Sequence, residues 1–276
     1  MELELIRLVQ SAASPALDQI FLFFTLLGEA WLPVLLVAVI YWAYNKRFGE
    51  FLGYCALFSL AVNCLVKNVV QRPRPIGEEG IRSLRTQTAT GSSFPSGHSQ
   101  SAASLFATLS YFVRKHWFTA LAVVIPVLVG FSRIYLGVHY PTDVLAGLLL
   151  GFLIPAVCYF LYVHFSHNNL LMVASAIIAG VLSWLVPSDD FSRAAALMAG
   201  FTYGIIIEQN FIRFSVDGPF LRRILRVALG LALLGALAVG MKLVFPVRPL
   251  FTFLRYGLIA FTATAIYPAI FKKLNL

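Results

Sequence analysis

The chain has 276 residues, of which 59% are hydrophobic and only 12% charged, against about 25% charged in soluble domains. Its formal net charge of +9 would suit nucleic acid, but the basic residues fall in short clusters between apolar stretches and not along one soluble face, which excludes that partner and points to membrane topology. A hydrocarbon core of about 30 Å needs roughly 20 apolar residues per helix. Such stretches follow one another almost end to end, so no separate soluble domain fits between them.

In chain order, the opening segment from Glu2 to Ser14 is weakly amphipathic and is expected on the membrane surface. It is acidic (Glu2, Glu4) where a secretory signal would be basic, so insertion is expected through an uncleaved helix. Apolar spans are then predicted near 16–44, 51–70, 98–113, 117–134, 142–163, 169–187, 193–212, 223–243 and 250–271. The fold class is therefore all-α, a polytopic membrane bundle of about nine transmembrane helices. Residues 1–190 are expected to form a six-helix core and residues 191–276 three additional C-terminal helices. The first span is long and carries Gly28 and Glu29, where a kink is predicted. Cys55, Cys64 and Cys158 all sit in apolar runs without metal-ligand spacing and read as buried thiols.

Orientation follows from the short loops, because Lys and Arg collect on the cytoplasmic side. Lys46 and Arg47, Arg114 and Lys115, the group Arg213, Arg222, Arg223 and Arg226, and the pair Lys272 and Lys273 form one set, with His116, His164 and His167 as structural residues on the same side. The acidic N-terminal segment falls outside. So does the loop from Gln71 to Pro95, which is rich in arginine and breaks the rule. Glu208, beside Gln209, Asn210 and Arg213, is expected in a structural pair, and Glu29 is assigned no role.

Three stretches place polar residues at helix ends where apolar ones would cost less. Lys67 through Pro75 closes the second span, Pro95-Ser96-Gly97-His98 opens the third, and Ser132-Arg133, His139 and Asp143 run from the fourth into the fifth. The predicted topology brings all three to the outer face. Phosphoryl transfer spreads negative charge over three oxygens, which calls for fixed cations, and planar guanidinium forks bind two oxygens at once. Arg74 and Arg133 suit that role, and Lys67 adds a point charge from a helix end. Ser96 reads as a helix N-cap, with the first N–H groups of Gly97 and His98 forming an anion seat. Asp143 lies four residues after His139, on the same helical face. It is placed to hold one imidazole nitrogen and leave the other free for attack, while His98 protonates the leaving oxygen and later activates water. In the lid segment from Ile76 to Phe94, Arg82 and Arg85 are candidates for reading the substrate headgroup. Taken singly, an arginine beside a proline is a topological anchor and Ser-Gly an ordinary cap; the co-occurrence on one face carries the functional reading.

Lys67, six residues, Arg74-Pro75; Pro95-Ser96-Gly97-His98; and Ser132-Arg133, five residues, His139, three residues, Asp143 together resemble the three-part signature of the phosphatidic acid phosphatase type 2 superfamily. The resemblance implies a metal-independent integral membrane phosphatase with His139 as nucleophile, Asp143 its partner and His98 the acid. Lys67, Arg74, Ser96, Gly97 and Arg133 would form the phosphate cradle. No metal and no other cofactor is expected; the expected partners are a phosphorylated lipid substrate and the bilayer. The expected location is a bacterial plasma membrane with the active site on the extracytoplasmic side. The longer helical layout is similar to that of glucose-6-phosphatase and sphingosine-1-phosphate phosphatase, which keeps a soluble sugar phosphate among the alternatives. A transporter of phosphorylated lipids and a phosphotransferase on the same scaffold complete them.

Overall fold

A computed structural model describes residues 1–164, 168–246 and 248–276; His167, expected at the cytoplasmic end, lies outside the described residues. The described chain is helical. The helices are α1 (Glu2–Ser11), α2 (Pro15–Leu26), α3 (Trp31–Val39), α4 (Lys46–Val70), α5 (Gly97–Val113), α6 (His116–Tyr135), α7 (Pro141–His164), α8 (Asn168–Leu185), α9 (Asp189–Ile207), α10 (Phe220–Val244), α11 (Pro249–Phe261) and α12 (Tyr267–Lys273). Single π-helical turns extend α3 (Ile40–Tyr44) and α9 (Glu208–Ile212) and join α11 to α12 (Thr262–Ile266).

All nine expected stretches are helical, and length and apolarity alone mark five or six of them as crossings among the described residues. Among the described residues five helical rods are long and apolar enough to span a bilayer: α4, α6, α7, α10 and the continuous rod Pro249–Lys273. The pair α2 and α3 makes a sixth if its 47° bend is one broken span, and the bend falls at the expected Gly28 and Glu29. The shortfall has a physical reason in α5, which buries Ser99, Gln100, Ser104 and Thr108 against its neighbours. A helix shielded from lipid need not be apolar all round. By contrast α6 and α7 leave rows of large apolar side chains uncovered, including Val123, Val127 and Phe131 on one and Leu145, Leu149 and Leu153 on the other. Rows of that kind suit a lipid environment.

The chain divides into two compact units. Residues 1–32 and 62–160 make the first, and residues 33–61 and 161–276 the second. In the first, α5 packs on α6, and α1 and α2 pack on α6 as well. Helix α7 approaches α5 through Gly147 and Gly151, where any side chain would collide with the backbone of Ser96 or Gln100. Small residues four apart let two membrane helices come this close. A hydrophobic cluster of Ala89, Tyr135, Leu136 and Val138, with Val9, Leu17, Phe21, Leu22 and Leu84 around it, roots the lid loop on α1, α2 and α6.

In the second unit α9 packs on α11, and the backbones meet at Gly200 and Gly257. A π turn interrupts the regular helical hydrogen-bond ladder and leaves carbonyls to be satisfied elsewhere. Here the Tyr41 hydroxyl donates to Thr264 O (3.1 Å) and the Trp42 indole to Ala263 O (2.9 Å). Buried Glu208 pairs with Lys46 at 2.5 Å, so the expected structural pair exists with Lys46 as its cation. Cys55, Cys64 and Cys158 are all buried.

Candidate active site

Every sequence-predicted site residue lies in the first unit, and three helix junctions bring them to one end of it. The last turn of α4 carries Lys67, whose ammonium donates to Ser92 O in the lid loop. The N-terminus of α5 is capped by fully buried Ser96, whose hydroxyl accepts from Ser99 N and Ser99 Oγ, the latter at 2.8 Å. The first intrahelical bond runs from Gln100 N to Ser96 O (3.0 Å), so the N–H groups of Gly97 and His98 precede it and point out of the helix end. The peptide between Phe94 and Pro95 is cis. Ser96 N also donates to Asp143 O (2.9 Å), which ties this turn to the first turn of α7.

His139 sits in the short connection between α6 and α7 and is 1% exposed. Its Nε2 lies 2.9 Å from Arg74 Nη1. A guanidinium has donors only, so Nε2 is the acceptor and the ring proton belongs on Nδ1. That nitrogen faces Asp143 Oδ2 and Ser93 Oγ, each at 3.4 Å. The Asp143 separation is longer than a normal hydrogen bond, as catalytic contacts in ligand-free sites often are. Burial lowers the His139 imidazole to about 3, with the charges of Arg74, Arg133 and Lys67 acting in the same direction and the contact to Asp143 opposing them. The ring is therefore neutral at ordinary pH, with its lone pair on the nitrogen that faces Arg74.

Asp143 is fully buried and held on both oxygens. Oδ2 accepts from Ser93 Oγ (2.5 Å) and Tyr140 N (2.9 Å), and Oδ1 from Arg72 Nη1 (2.8 Å). Arg74 itself is cradled by carbonyls: Gly91 O (3.0 Å), Thr90 O (2.8 Å) and Val138 O (3.0 Å). Burial lowers Arg74 to about 10, against the pull of Asp143, so it remains a cation. Arg133, near the end of α6, is fully buried and gives Nη1 to Thr25 Oγ1 (2.6 Å), while its Nε and Nη2 have no partner. His98 Nε2 is likewise buried without a partner. Unpartnered buried donors are rare because each costs free energy. Here they belong to Arg133, expected in the phosphate cradle, and His98, expected as the acid; Arg193, Arg226 and Arg255 each carry one such nitrogen as well.

The lid arginines are engaged elsewhere. Arg82 forms a two-pronged pair with Asp18 (2.8 and 2.6 Å), and Arg85 pairs with Glu29 (2.6 Å), the acid to which the sequence gave no role. Sequence reasoning missed Ser93, Arg72 and Thr25, which hold Asp143 and Arg133 from positions distant in the chain. Among the described residues no group of three or more His, Cys, Asp or Glu is arranged to hold a metal ion.

Residues 50–167 match the PAP2 superfamily, and residues 192–276 match the transmembrane extension of PAP2 superfamily phosphatases. The undecaprenyl-diphosphatase of Sulfolobus acidocaldarius is 30% identical over 150 residues, covering 54% of this chain and 72% of that protein. Phosphatidylglycerophosphatase B of Bacillus subtilis is 49% identical over 71 residues, which span 22% of this chain and 35% of that protein. The crystal structure of Aquifex aeolicus LpxE superposes with a TM-score of 0.52 at 29% identity, covering 57% of this chain and 94% of that one. With the three polar stretches gathered around one buried histidine on a helical membrane scaffold, these likenesses establish that the chain belongs to the PAP2 superfamily.

Proposed function

We propose that the protein hydrolyses a lipid phosphate or diphosphate at the extracytoplasmic membrane face through a phosphohistidine intermediate on His139, without a metal. The observation that carries this reading is the neutral, buried His139, whose Nε2 lone pair faces Arg74 while Asp143 backs the opposite nitrogen. In the first step Nε2 attacks phosphorus, an N–P bond forms and the P–O bond to the lipid breaks. His98 gives its proton to the departing oxygen. Asp143 stabilises the imidazole as it loses electron density, the orienting role of the carboxylate in nucleophile and base constellations. In the second step His98 takes a proton from water, the hydroxide oxygen bonds to phosphorus, the N–P bond breaks and inorganic phosphate leaves.

Lys67, Arg74 and Arg133, with the first N–H groups of the Ser96-capped helix, receive the three phosphoryl oxygens whose charge grows in the transition state. The unpartnered Nε and Nη2 of Arg133 support that assignment. A lipid leaving group is supported by the membrane scaffold and by relatives named for undecaprenyl diphosphate and phosphatidylglycerophosphate. The extracytoplasmic face is supported by the loop charges, since Arg114 and Lys115 join α5 to α6 at the ends of those helices opposite to Ser96 and Arg133. Residues 191–276 are read as an accessory membrane region.

The test is phosphate release by detergent-purified protein in EDTA, across phosphatidic acid, phosphatidylglycerophosphate, undecaprenyl diphosphate and glucose 6-phosphate. Release from a lipid substrate that persists in the chelator and disappears in His139→Ala is the expected result. Release that EDTA abolishes and Mg²⁺ restores, or that survives in His139→Ala, would overturn the mechanism.

A further inference from the structure

Helix α1 begins against the catalytic aspartate. Glu2 Oε1 accepts from Thr142 N (3.1 Å) and Thr142 Oγ1 (2.7 Å), in the first turn of α7. Its other oxygen lies 2.5 Å from Arg72 Nη2. Arg72 turns its remaining amine to Thr142 Oγ1 (2.7 Å) and Asp143 Oδ1 (2.8 Å), with its plane 3.9 Å above the Tyr140 ring. The Arg72 carbonyl accepts from Ser93 N (2.8 Å), and the Ser93 hydroxyl donates to Asp143 Oδ2. Arg72 thus reaches both oxygens of Asp143, one directly and one through Ser93.

The register of α1 is fixed independently of Glu2. Ile6 is fully buried, the Arg7 guanidinium donates to Glu79 O (2.7 and 3.2 Å), and the Gln10 amide bridges Arg82 and Tyr135 O. These contacts set where the first residue of the helix falls, and it falls on Arg72.

We propose that Glu2 and Arg72 are positioning residues for the reaction, a clamp in which α1 holds Arg72 and Arg72 holds the Asp143 carboxylate against His139 Nδ1. The proposal rests on the reading of His139 as nucleophile. Rotation of a carboxylate about its last torsion is soft, so a carboxylate anchored on one oxygen samples orientations that one anchored on both does not. Ionic hydrogen bonds on each side of the guanidinium make the clamp a single unit. Loss of either member is therefore expected to reach His139 by the same route.

The experiment measures kcat and KM for phosphatidylglycerophosphate in mixed micelles with wild type, Glu2→Gln, Arg72→Gln, the double variant and Glu2→Asp, with His139→Ala as the blank. Glu2→Gln is expected to lower kcat about tenfold, the scale of one weakened ionic hydrogen bond, with KM within about twofold. Arg72→Gln should lower kcat by that much or more, and adding Glu2→Gln to it should cost less than about twofold, because linked residues are not additive. Glu2→Asp, which keeps the charge, should recover part of the loss. Multiplying effects in the double variant, a change confined to KM, or wild-type kcat in Glu2→Gln would each overturn the clamp while leaving the phosphatase reading intact. If the wild type does not turn over phosphatidylglycerophosphate, the same variants are measured on whichever of the other three substrates it cleaves; no turnover of any of the four would overturn both.

Discussion

The contact between α5 and α7 allows a quantitative test that touches no catalytic group. A Cβ on Gly147 would stand 2.5 Å from the carbonyl oxygen of Ser96 and 3.2 Å from Ser99 Cβ. Ordinary carbon to oxygen contact begins near 3.3 Å, so Gly147→Ala must part the two elements by roughly 0.8 Å. The obstacle is backbone, in the turn that starts α5, and it has little room to yield. Overpacking of this kind costs about 1–3 kcal/mol in stability. Its effect on rate is larger in proportion, because Ser96 begins the phosphate seat and its N–H bonds to Asp143 O, so one push displaces both halves of the site. A displacement near 1 Å costs on the order of 100-fold in rate. The expected outcome is a kcat 10- to 100-fold below wild type, by these same considerations, in a protein that still purifies as a folded species. Gly180→Ala is the control: it has open space around it, and alanine is the better helix former by about 1 kcal/mol. Phosphate release and thermal unfolding in detergent read out both variants. Wild-type turnover in Gly147→Ala, within a factor of about two, would refute the claim that this contact sets the catalytic geometry.

Two further outcomes follow from the site. With ¹⁵N-labelled histidine, the resonances that vanish in His139→Asn should show no protonation between pH 8 and pH 5, because the ring charges only as pH falls toward about 3; a midpoint near the ordinary histidine value would contradict the buried, cation-lined environment. Because folding depresses this group, its contribution to stability is present above the unfolded histidine value and is lost as pH falls from there toward about 3. Among the lid arginines, Arg85 pairs with Glu29 beside the bend next to Thr25 and Arg133, while Arg82 pairs with Asp18 on α2. Arg85→Ala is expected to change the ratio of kcat/KM between a lipid monophosphate and a lipid diphosphate at least threefold, with Arg82→Ala leaving that ratio unchanged; equal ratios in all three proteins would remove the lid from substrate selection.

Hydrophobic runs and proline or glycine punctuation were sufficient to locate the helices, because every long apolar stretch must satisfy its backbone within itself in a membrane. Among the described residues, length and apolarity by themselves mark five or six of the nine stretches as crossings. Helix α5, full of Ser, Thr and Gln on its packed face, shows that an interior helix need not look transmembrane. The residues proposed to meet substrate were legible since Lys67, Arg74, Ser96, His98, Arg133, His139 and Asp143 sit at helix ends with local spacings. Their supports were not. In the sequence Arg72 stands beside a proline, Ser93 in a loop and Thr25 in an apolar stretch. Each acquires its role from a partner between 50 and 108 positions away, and no periodicity reports a contact of that range. Asp18 and Glu29 illustrate the same limit from the acidic side.

The hydrogen bond between Arg74 and His139 Nε2 makes the resting pocket its own first competitor. The cation that is to receive phosphate already occupies the lone pair that is to attack it, so the nucleophile is masked until something draws the guanidinium away. A neutral ester offers Arg74 nothing stronger than the imidazole it already holds. A terminal phosphate offers two or three anionic oxygens in the fork geometry a guanidinium prefers. In the proposed mechanism, unmasking of the histidine and recognition of the doubly charged group are then a single event, and a neutral lipid that passes the pocket leaves it shut.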